Sequence, residues 1–280
     1  MKLIETNIIH HGNASKLLKN TELFPDNSID LIITSPPYAN QRKKQYPSKN
    51  EKGYVNWFLN ISEQMKRILK PRGSFILNIK ENVKDIERQT YVYELVLKLK
   101  DQGWMWLEEY CWHKTNSFPG RWKNRFRDSW ERCYHFSKNK NIKFYRNEVK
   151  VPIGDWSKKR FNGTNYKHDK TRHLSNTNSG FSRKVSNWQG KRKVDPDNVL
   201  HFSTVTYNRK HSAAFPLELP EWFIKLLTRK NNIVLDPFIG SGTTALAAKS
   251  LNRRYIGIDI LKKNVNLANK RLIEEILQSP

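Results

Sequence analysis

The chain is poor in cysteine, in long apolar runs and in acidic residues. Only Cys111 and Cys133 occur among 280 residues. Their spacing fits no zinc site, and a cytosolic disulfide is not expected, so both read as packing residues. His10 and His11 have no metal partners at useful spacing, and no metal is expected. No apolar stretch approaches the roughly 20 residues that cross a bilayer. Residues 1–10 lack the basic start and apolar run of a signal peptide. A cytoplasmic protein without membrane contact is the expectation. Asp plus Glu total 26 against 51 Lys plus Arg, a formal net charge of +25. An excess this large repels itself and favours a polyanionic partner.

That charge is unevenly placed. The 97 residues from Lys114 to Lys210 hold 24 Lys plus Arg against 7 Asp plus Glu. They also carry 15 aromatics, among them Trp122, Trp130, Trp156 and Trp188. Cations meet phosphates and rings can stack on bases, so the stretch suits nucleic acid. Candidate phosphate contacts are Arg121, Lys123, Arg125, Arg127, Lys158, Lys159, Arg160, Arg183, Lys191 and Arg192.

Regular patterning flanks this stretch. Ile29 to Thr34 reads as a buried strand after a turn-like Pro25–Ser28. Tyr54 to Lys70 has helical apolar spacing, with Pro71 and Gly73 expected to end the helix. Ser74 to Ile79 is the next strand, Val92 to Leu99 a helix, and Trp104 to Trp112 a strand. The alternation indicates an α/β sheet. From about Ser117 to Phe202 no helical period persists, and the polar part from Arg146 to Pro196 reads as an irregular module with mobile loops. Pattern returns as a helix over Leu217–Thr228, a strand over Ile233–Asp236, a helix over Thr243–Leu251, a strand over Tyr255–Asp259 and a final helix from Lys262. Three segments follow: 1–116, 117–205 and 206–280.

Two motifs carry chemistry. The first is Asp236-Pro237-Phe238-Ile239-Gly240-Ser241-Gly242-Thr243-Thr244, a strand end, a glycine turn and a helix start. Gly240 and Gly242 permit a tight turn and close approach to a ligand. Thr243 and Thr244 are candidates to cap the helix, whose amides attract an anion. About 20 residues beyond the turn, Asp259 ends a second strand, where an acid can accept from ribose hydroxyls. Ala245 stands where a third fingerprint glycine would fall, and no Gly-Lys-Ser/Thr is present, so dinucleotide and P-loop patterns are both absent.

The second motif is Thr34-Ser35-Pro36-Pro37-Tyr38, at the end of the Ile29 strand. The prolines stiffen the loop and remove two N–H donors. The carbonyls of Ser35 and Pro36 and the Ser35 hydroxyl then offer acceptors, and Tyr38 a flat ring. Together they suit an aminated heterocycle. An exocyclic amine is a poor nucleophile because its lone pair is delocalised, so positioning and electrostatics must supply most of the catalysis.

These residues resemble the DNA amino-methyltransferases, in the β class that places the catalytic motif before the cofactor motif. The resemblance implies a Rossmann-like fold dependent on S-adenosylmethionine (AdoMet), circularly permuted, with an irregular inserted target-recognition module. It implies Ser35, Pro36, Pro37 and Tyr38 as catalytic residues. It implies AdoMet contacts from Asp236, Phe238, Gly240, Ser241, Gly242, Thr243, Thr244 and Asp259. His211 to Pro216, including Ala213 and Phe215, is similar to the segment that helps hold the methionine moiety. The family usually has Gly-Asp upstream of the catalytic strand; here it is Gly12-Asn13, and the Asn13 amide oxygen is the expected acceptor for the adenine amine. Serine at position 35 is similar to the cytosine-N4 members, with adenine N6 as the alternative. Cytosine C5 methylation needs a nucleophilic cysteine, usually after proline, and Cys111 and Cys133 follow Tyr110 and Arg132. Double-stranded DNA is the expected partner, with a cognate restriction endonuclease implied by the resemblance alone. Monomer and homodimer stay open. A non-catalytic nucleic-acid-binding protein and an RNA methyltransferase are the competing readings.

Overall fold

The computed structural model describes residues 4–40, 49–120, 123–155, 190–205 and 215–278, with side chains through 274 in the last helix. Arg121, Lys158, Lys159, Arg160, Arg183 and Ala213 lie outside the described residues.

One eight-stranded sheet organises the larger of two compact units, residues 1–145 and 198–280. Its core strand is β2 (Ile29–Thr34), buried at all six positions, as a parallel strand covered on both faces must be. From β2, the chain passes through α2 (Glu51–Ile68) to β3 (Leu69–Ile79), which pairs parallel with β2. From β11 (Ile233–Asp236), it passes through α5 (Thr243–Ser250) to β12 (Arg254–Asp259), which pairs parallel with β11 on the opposite side. Strands β11 and β2 are themselves parallel neighbours, with Val234 opposite Leu31. The strand succession therefore departs in opposite directions from the β11–β2 seam. That seam is a topological switch point, where the strand ends open a crevice.

The edges complete the sheet. Strand β1 (Ile8–His11) pairs with β12 and leads to the short helix α1 (Ala14–Leu17). Beyond β3 come β7 (Trp130–Ser137), β6 (Met105–Lys114) and β10 (Val199–Phe202). Strand β7 is antiparallel to both neighbours; all the others share one direction. This Rossmann-like order places sequence-late β11 and β12 between β1 and β2. A two-residue hairpin, β4 (Val83–Lys84) with β5 (Glu87–Arg88), precedes α3 (Tyr91–Asp101). Helices α4 (Glu218–Leu227) and α6 (Lys262–Gln278) close the helical set. The second unit, residues 146–197, contains a short antiparallel pair, β8 (Val151–Pro152) with β9 (Lys193–Val194).

Two local expectations change. Helix α2 begins at Glu51, because the Asn50 side chain accepts from Gly53 N–H at its start. It ends at Ile68, and Pro71 and Gly73 lie inside β3. A Cβ at Gly73 would stand 2.8 Å from the Asp30 carbonyl oxygen, so glycine is needed there for strand contact. The stretch from 117 to 202, where no helical period persists and no strand was expected, contains β7, in mid-sheet. Residues 133–137 are buried on both faces, which erases the period-2 signature of a half-exposed strand. The separately clustered unit is accordingly narrower than 117–205.

Asp30 fastens the seam from the opposite, N-terminal end. Its buried carboxylate accepts from Lys70 Nζ at 2.7 Å, Lys143 Nζ at 3.0 Å and the Ile233 amide at 3.0 Å. Burial raises its pKa, but the Lys70, Ile233 and Lys143 hydrogen bonds outweigh that and hold it below the ordinary carboxylate value. The stability it contributes is therefore present at neutral pH and lost as pH falls through the folded-state value. Asp30→Asn is expected to lower stability at pH 7 by about 3 kcal/mol, read by urea unfolding. A loss below about 0.5 kcal/mol would show that the seam does not depend on this charge.

Candidate active site at the sheet switch point

Asp236 ends β11 and Thr34 ends β2, so the two sequence motifs meet where their strands stop. Thr34 Oγ1 donates to Asp236 Oδ1 at 2.7 Å. The same oxygen accepts from Phe238 N–H at 3.0 Å, and Oδ2 accepts from Thr244 Oγ1 at 2.7 Å. Asp236 is 2% exposed. Burial pushes its carboxyl up to about 6, and the bonds from Thr244, Thr34 and Phe238 only partly offset that.

Next comes the glycine turn. Gly240 and Gly242 both take positive φ, 52° and 88°. Gly240 N–H donates to Asp259 Oδ2 at 3.0 Å, tying the turn to the end of β12. Asp259 also accepts from Leu261 N–H and from the buried Asn264 amide. Burial raises its pKa, and the bonds from Leu261, Asn264 and Gly240 oppose that. Gly242 has a packing reason as well: a Cβ there would lie 2.8 Å from Ala268 Cβ of α6. Its close approach is to a helix. The helix cap is also not the expected one. Gly242 is the N-cap of α5 and no side chain caps it; Thr244 is engaged with Asp236, and Thr243 Oγ1 accepts from Arg271. Arg271 also donates to the Ser241 carbonyl and hydroxyl, clamping the turn from α6.

Asn13 lies near the same end of the sheet, since Gly12 N–H donates to the Asp259 carbonyl. Its Oδ1 accepts from Ser15 N–H at 2.9 Å and Ser15 Oγ at 2.7 Å. The oxygen expected to serve adenine is the one that caps α1. Phe215 is buried ahead of α4. Trp57, which the sequence did not single out, packs on Phe238 with ring centroids 5.6 Å apart. Its place on α2 looked like ordinary helical spacing.

On the β2 side, Pro36 is buried while Ser35, Pro37 and Tyr38 are partly exposed. The Tyr38 hydroxyl donates to Glu131 Oε2 at 2.8 Å, and Ser35 Oγ lies 3.4 Å from it. Burial, then the Glu131 charge, pushes the Tyr38 phenol well above its ordinary value, so it stays protonated. Glu131 Oε1 accepts from Lys114 Nζ at 2.5 Å. Lys114 lies 5.0 Å from the Trp112 ring, and Trp112 is core. Neither Glu131 nor its role was foreseen, although an acid inside a basic stretch was a usable signal.

Lys80 and Glu81, just past the end of β3, both form ion pairs, and Glu81 is buried. Lys80 pairs with Asp128, and Glu81 with Arg88 and Arg132. Arg125 is half-buried and shares the Asp128 carboxylate with Lys80 and Arg88, three cations on one acid. Lys123, Arg127, Lys191 and Arg192 are exposed. Both cysteines are free. Cys133 is buried, and burial pushes its thiol far up, which leaves it unreactive. Among the described residues no His, Cys, Asp and Glu cluster could hold a metal. No helix among them is long and apolar enough to cross a membrane.

A glycine turn and an acid at one pair of strand ends, facing a proline-stiffened acceptor loop at the next, are the parts of an AdoMet-dependent methyltransferase. The turn's positive-φ glycines and its Asp259 partner fit the nucleoside and amino-acid ends of that cofactor. A family model for DNA methylases matches residues 29–270, and the chain belongs to that family. It is an amino-methyltransferase of the restriction-modification type, and its cofactor is AdoMet. The chain is 30% identical over 284 residues to the type II methyltransferase M.PvuII of Proteus hauseri, covering 94% of this chain and 82% of that one. It is 31% identical over 280 residues to M.BglII of Bacillus subtilis, covering 96% and 69%. Among solved structures, the cytosine-N4-specific PvuII DNA methyltransferase superposes with a TM-score of 0.71 at 26% identity, covering 96% and 86%. A Thermus thermophilus DNA modification methylase in complex with S-adenosyl-L-methionine has a TM-score of 0.64 at 20% identity, covering 97% and 95%, and supports the fold alone.

Asp236 favours protonation when folded, so its contribution to stability is complete below about pH 4 and lost as pH rises through about 6. Relative to Asp236→Asn, the wild type is expected to lose about 3 kcal/mol between pH 4 and pH 7. Urea unfolding of both proteins across that range reads the difference directly. A difference that does not change with pH would sink the assignment.

Proposed function

We propose that this site-specific DNA amino-methyltransferase modifies cytosine N4 in duplex DNA, using Ser35 to Tyr38 as the pocket for the flipped base. Support for N4 comes from serine at position 35 and from the likeness to a cytosine-N4-specific enzyme. The observation that carries the site reading is the Thr34–Asp236 hydrogen bond, which joins the acceptor loop to the cofactor turn.

The residues divide the work as follows. Asp259 and the Gly240–Thr244 turn hold the nucleoside and methionine parts of AdoMet, with Phe238 and Phe215 as apolar walls. Bound there, AdoMet supplies an electrophilic methyl group on a sulfonium. The carbonyls of Ser35 and Pro36 and the Ser35 hydroxyl accept from the target amine. Hydrogen bonds to the amine raise electron density on nitrogen and orient it. Tyr38 stacks on the base. The protonated phenol takes no part as a base. No covalent enzyme intermediate is needed, in keeping with the inert Cys133.

DNA is read by a separate surface. The segment between Lys114 and Trp130 joins β6 to β7 at the same sheet end as Tyr38, since Glu131, the second residue of the return strand, accepts from that phenol. It carries exposed Lys123 and Arg127, with Phe118 90% and Phe126 94% exposed. Cations and unshielded rings together fit a phosphate backbone beside unstacked bases. Residues 146–197 form the target-recognition module, with Lys191 and Arg192 among its phosphate contacts.

Tritium transfer from labelled AdoMet to duplex DNA is the direct test. Wild type is expected to label DNA, and Ser35→Ala with Tyr38→Ala to lose at least about 100-fold in kcat. Equal activity in the two proteins would remove the catalytic assignment. Digestion and mass spectrometry should return N4-methylcytosine; N6-methyladenine would move the target to the family's other amine. Lys123→Ala with Arg127→Ala is expected to reduce the slope of log affinity against log salt by about 2. An unchanged slope would take these two side chains out of the interface.

A further inference from the structure

Glu131 is one of only seven acids among the 97 residues from Lys114 to Lys210. Its side chain is 12% exposed, and it accepts directly from the Tyr38 hydroxyl. Burying a carboxylate is costly unless it is paired and hydrogen-bonded, so an acid kept here calls for a reason. One oxygen takes Lys114 Nζ, and the other takes the Tyr38 hydroxyl. Lys114 is backed by the Trp112 ring, and Trp112 Nε1 donates to the Phe202 carbonyl at 3.0 Å. A continuous chain of contacts therefore runs from β10 through β6 and β7 to the phenol.

The Tyr38 ring needs such an anchor. Pro36 and Pro37 restrain the backbone, yet χ2 of a tyrosine is a broad torsion that backbone stiffness does not set. The Ser35 contact, at 3.4 Å, is too long to hold the ring. The Glu131 bond, at 2.8 Å to a charged acceptor, is the stronger restraint.

We infer that Glu131, held in place by Lys114, is a positioning residue that fixes the plane of the Tyr38 ring against the flipped base. The inference rests on the reading of Tyr38 as the stacking residue. Glu131 acts through the phenol oxygen and touches neither base nor cofactor. With the ring fixed at backbone and hydroxyl, the base is held by stacking in one orientation, and its amine stays aligned with the acceptors. With the ring free to turn, the base still enters but is misaligned.

The test is a double-mutant cycle. The substrate is a duplex carrying the sequence context that methylation-aware sequencing finds in DNA from an expressing host, and AdoMet is saturating. Glu131→Ala is expected to lower kcat by about 10-fold, the effect of one lost hydrogen bond, with KM for AdoMet unchanged. Tyr38→Phe should lose a similar factor, because it removes the same bond from the other side. The double variant should be no worse than either single one. Glu131→Gln keeps an acceptor for the phenol and should recover most of the loss. With 2-aminopurine at the target position, emission should be higher in Glu131→Ala than in wild type, since a poorly stacked base is less quenched. Should Glu131→Ala fold poorly with Lys114 unpaired, Glu131→Ala with Lys114→Met removes both charges and should show the same loss of kcat. Wild-type kcat in a folded Glu131→Ala protein, or losses that multiply in the Tyr38→Phe background, would overturn the inference while leaving the function intact. No label transferred by wild type would instead overturn the function, and this inference with it.

Discussion

The buried carboxylate of Asp236 is the constraint on which the rest of the site depends. Among the described residues it has no cationic partner. Two hydroxyls and one amide satisfy it, and they come from three places: Thr34 on the acceptor strand, Thr244 on the helix after the glycine turn, and Phe238 within the turn itself. Such a group tolerates little displacement, because a lost bond leaves a buried acceptor unsatisfied. The acceptor loop and the cofactor turn are thus set relative to one another by a single side chain. The turn is then continued to the second acid through Gly240 and Asp259, and clamped from α6 by Arg271.

Electrostatics divides the molecule in a related way. The chain has few acids, and outside the strand-end pair Asp236 and Asp259 several inward-facing ones hold specific cations. Asp30 holds Lys70 and Lys143; Glu81 holds Arg88 and Arg132; Glu131 holds Lys114. The partly exposed Asp128 adds Lys80 and Arg125 to the same region. The Asp30 pairs join β2 to β3 at the N-terminal end of the sheet, and the Glu81 and Glu131 pairs brace β6 and β7 at the crevice end. Each acid cancels one cation wherever it sits, and with 26 acids against 51 cations an excess of +25 remains. That is the condition for a surface that binds a polyanion and does so less tightly as salt rises. Arg132 shows that not every cation serves this end: it lies between the Tyr93 and Trp130 rings and bonds to Glu81 and Glu109.

Much of the fold was legible in the chain. The strands at Ile29–Thr34, Ile233–Asp236 and Arg254–Asp259 are short apolar runs bounded by turns. The helices α2, α3 and α4 show apolar residues at helical spacing. What failed has identifiable causes. Strand β7 was hidden because a strand buried on both faces has no alternation. Pro71 and Gly73 read as a helix stop, whereas the glycine answers the close approach of the Asp30 carbonyl.

The sequence alone was enough to specify the two motifs, their residue types and their order, because each is a contiguous strand-end segment whose chemistry depends on local backbone form. Tertiary structure alone decided what stands opposite them. Thr34 and Asp236 are 202 residues apart, and only the parallel register of β2 with β11 makes them partners. Tyr38 and Glu131 are 93 residues apart, and only the reversed direction of β7 brings the acid to the catalytic end of the sheet. Which strands pair, and in which direction, is settled between segments far apart in the chain, so neither motif shows by itself what stands opposite it.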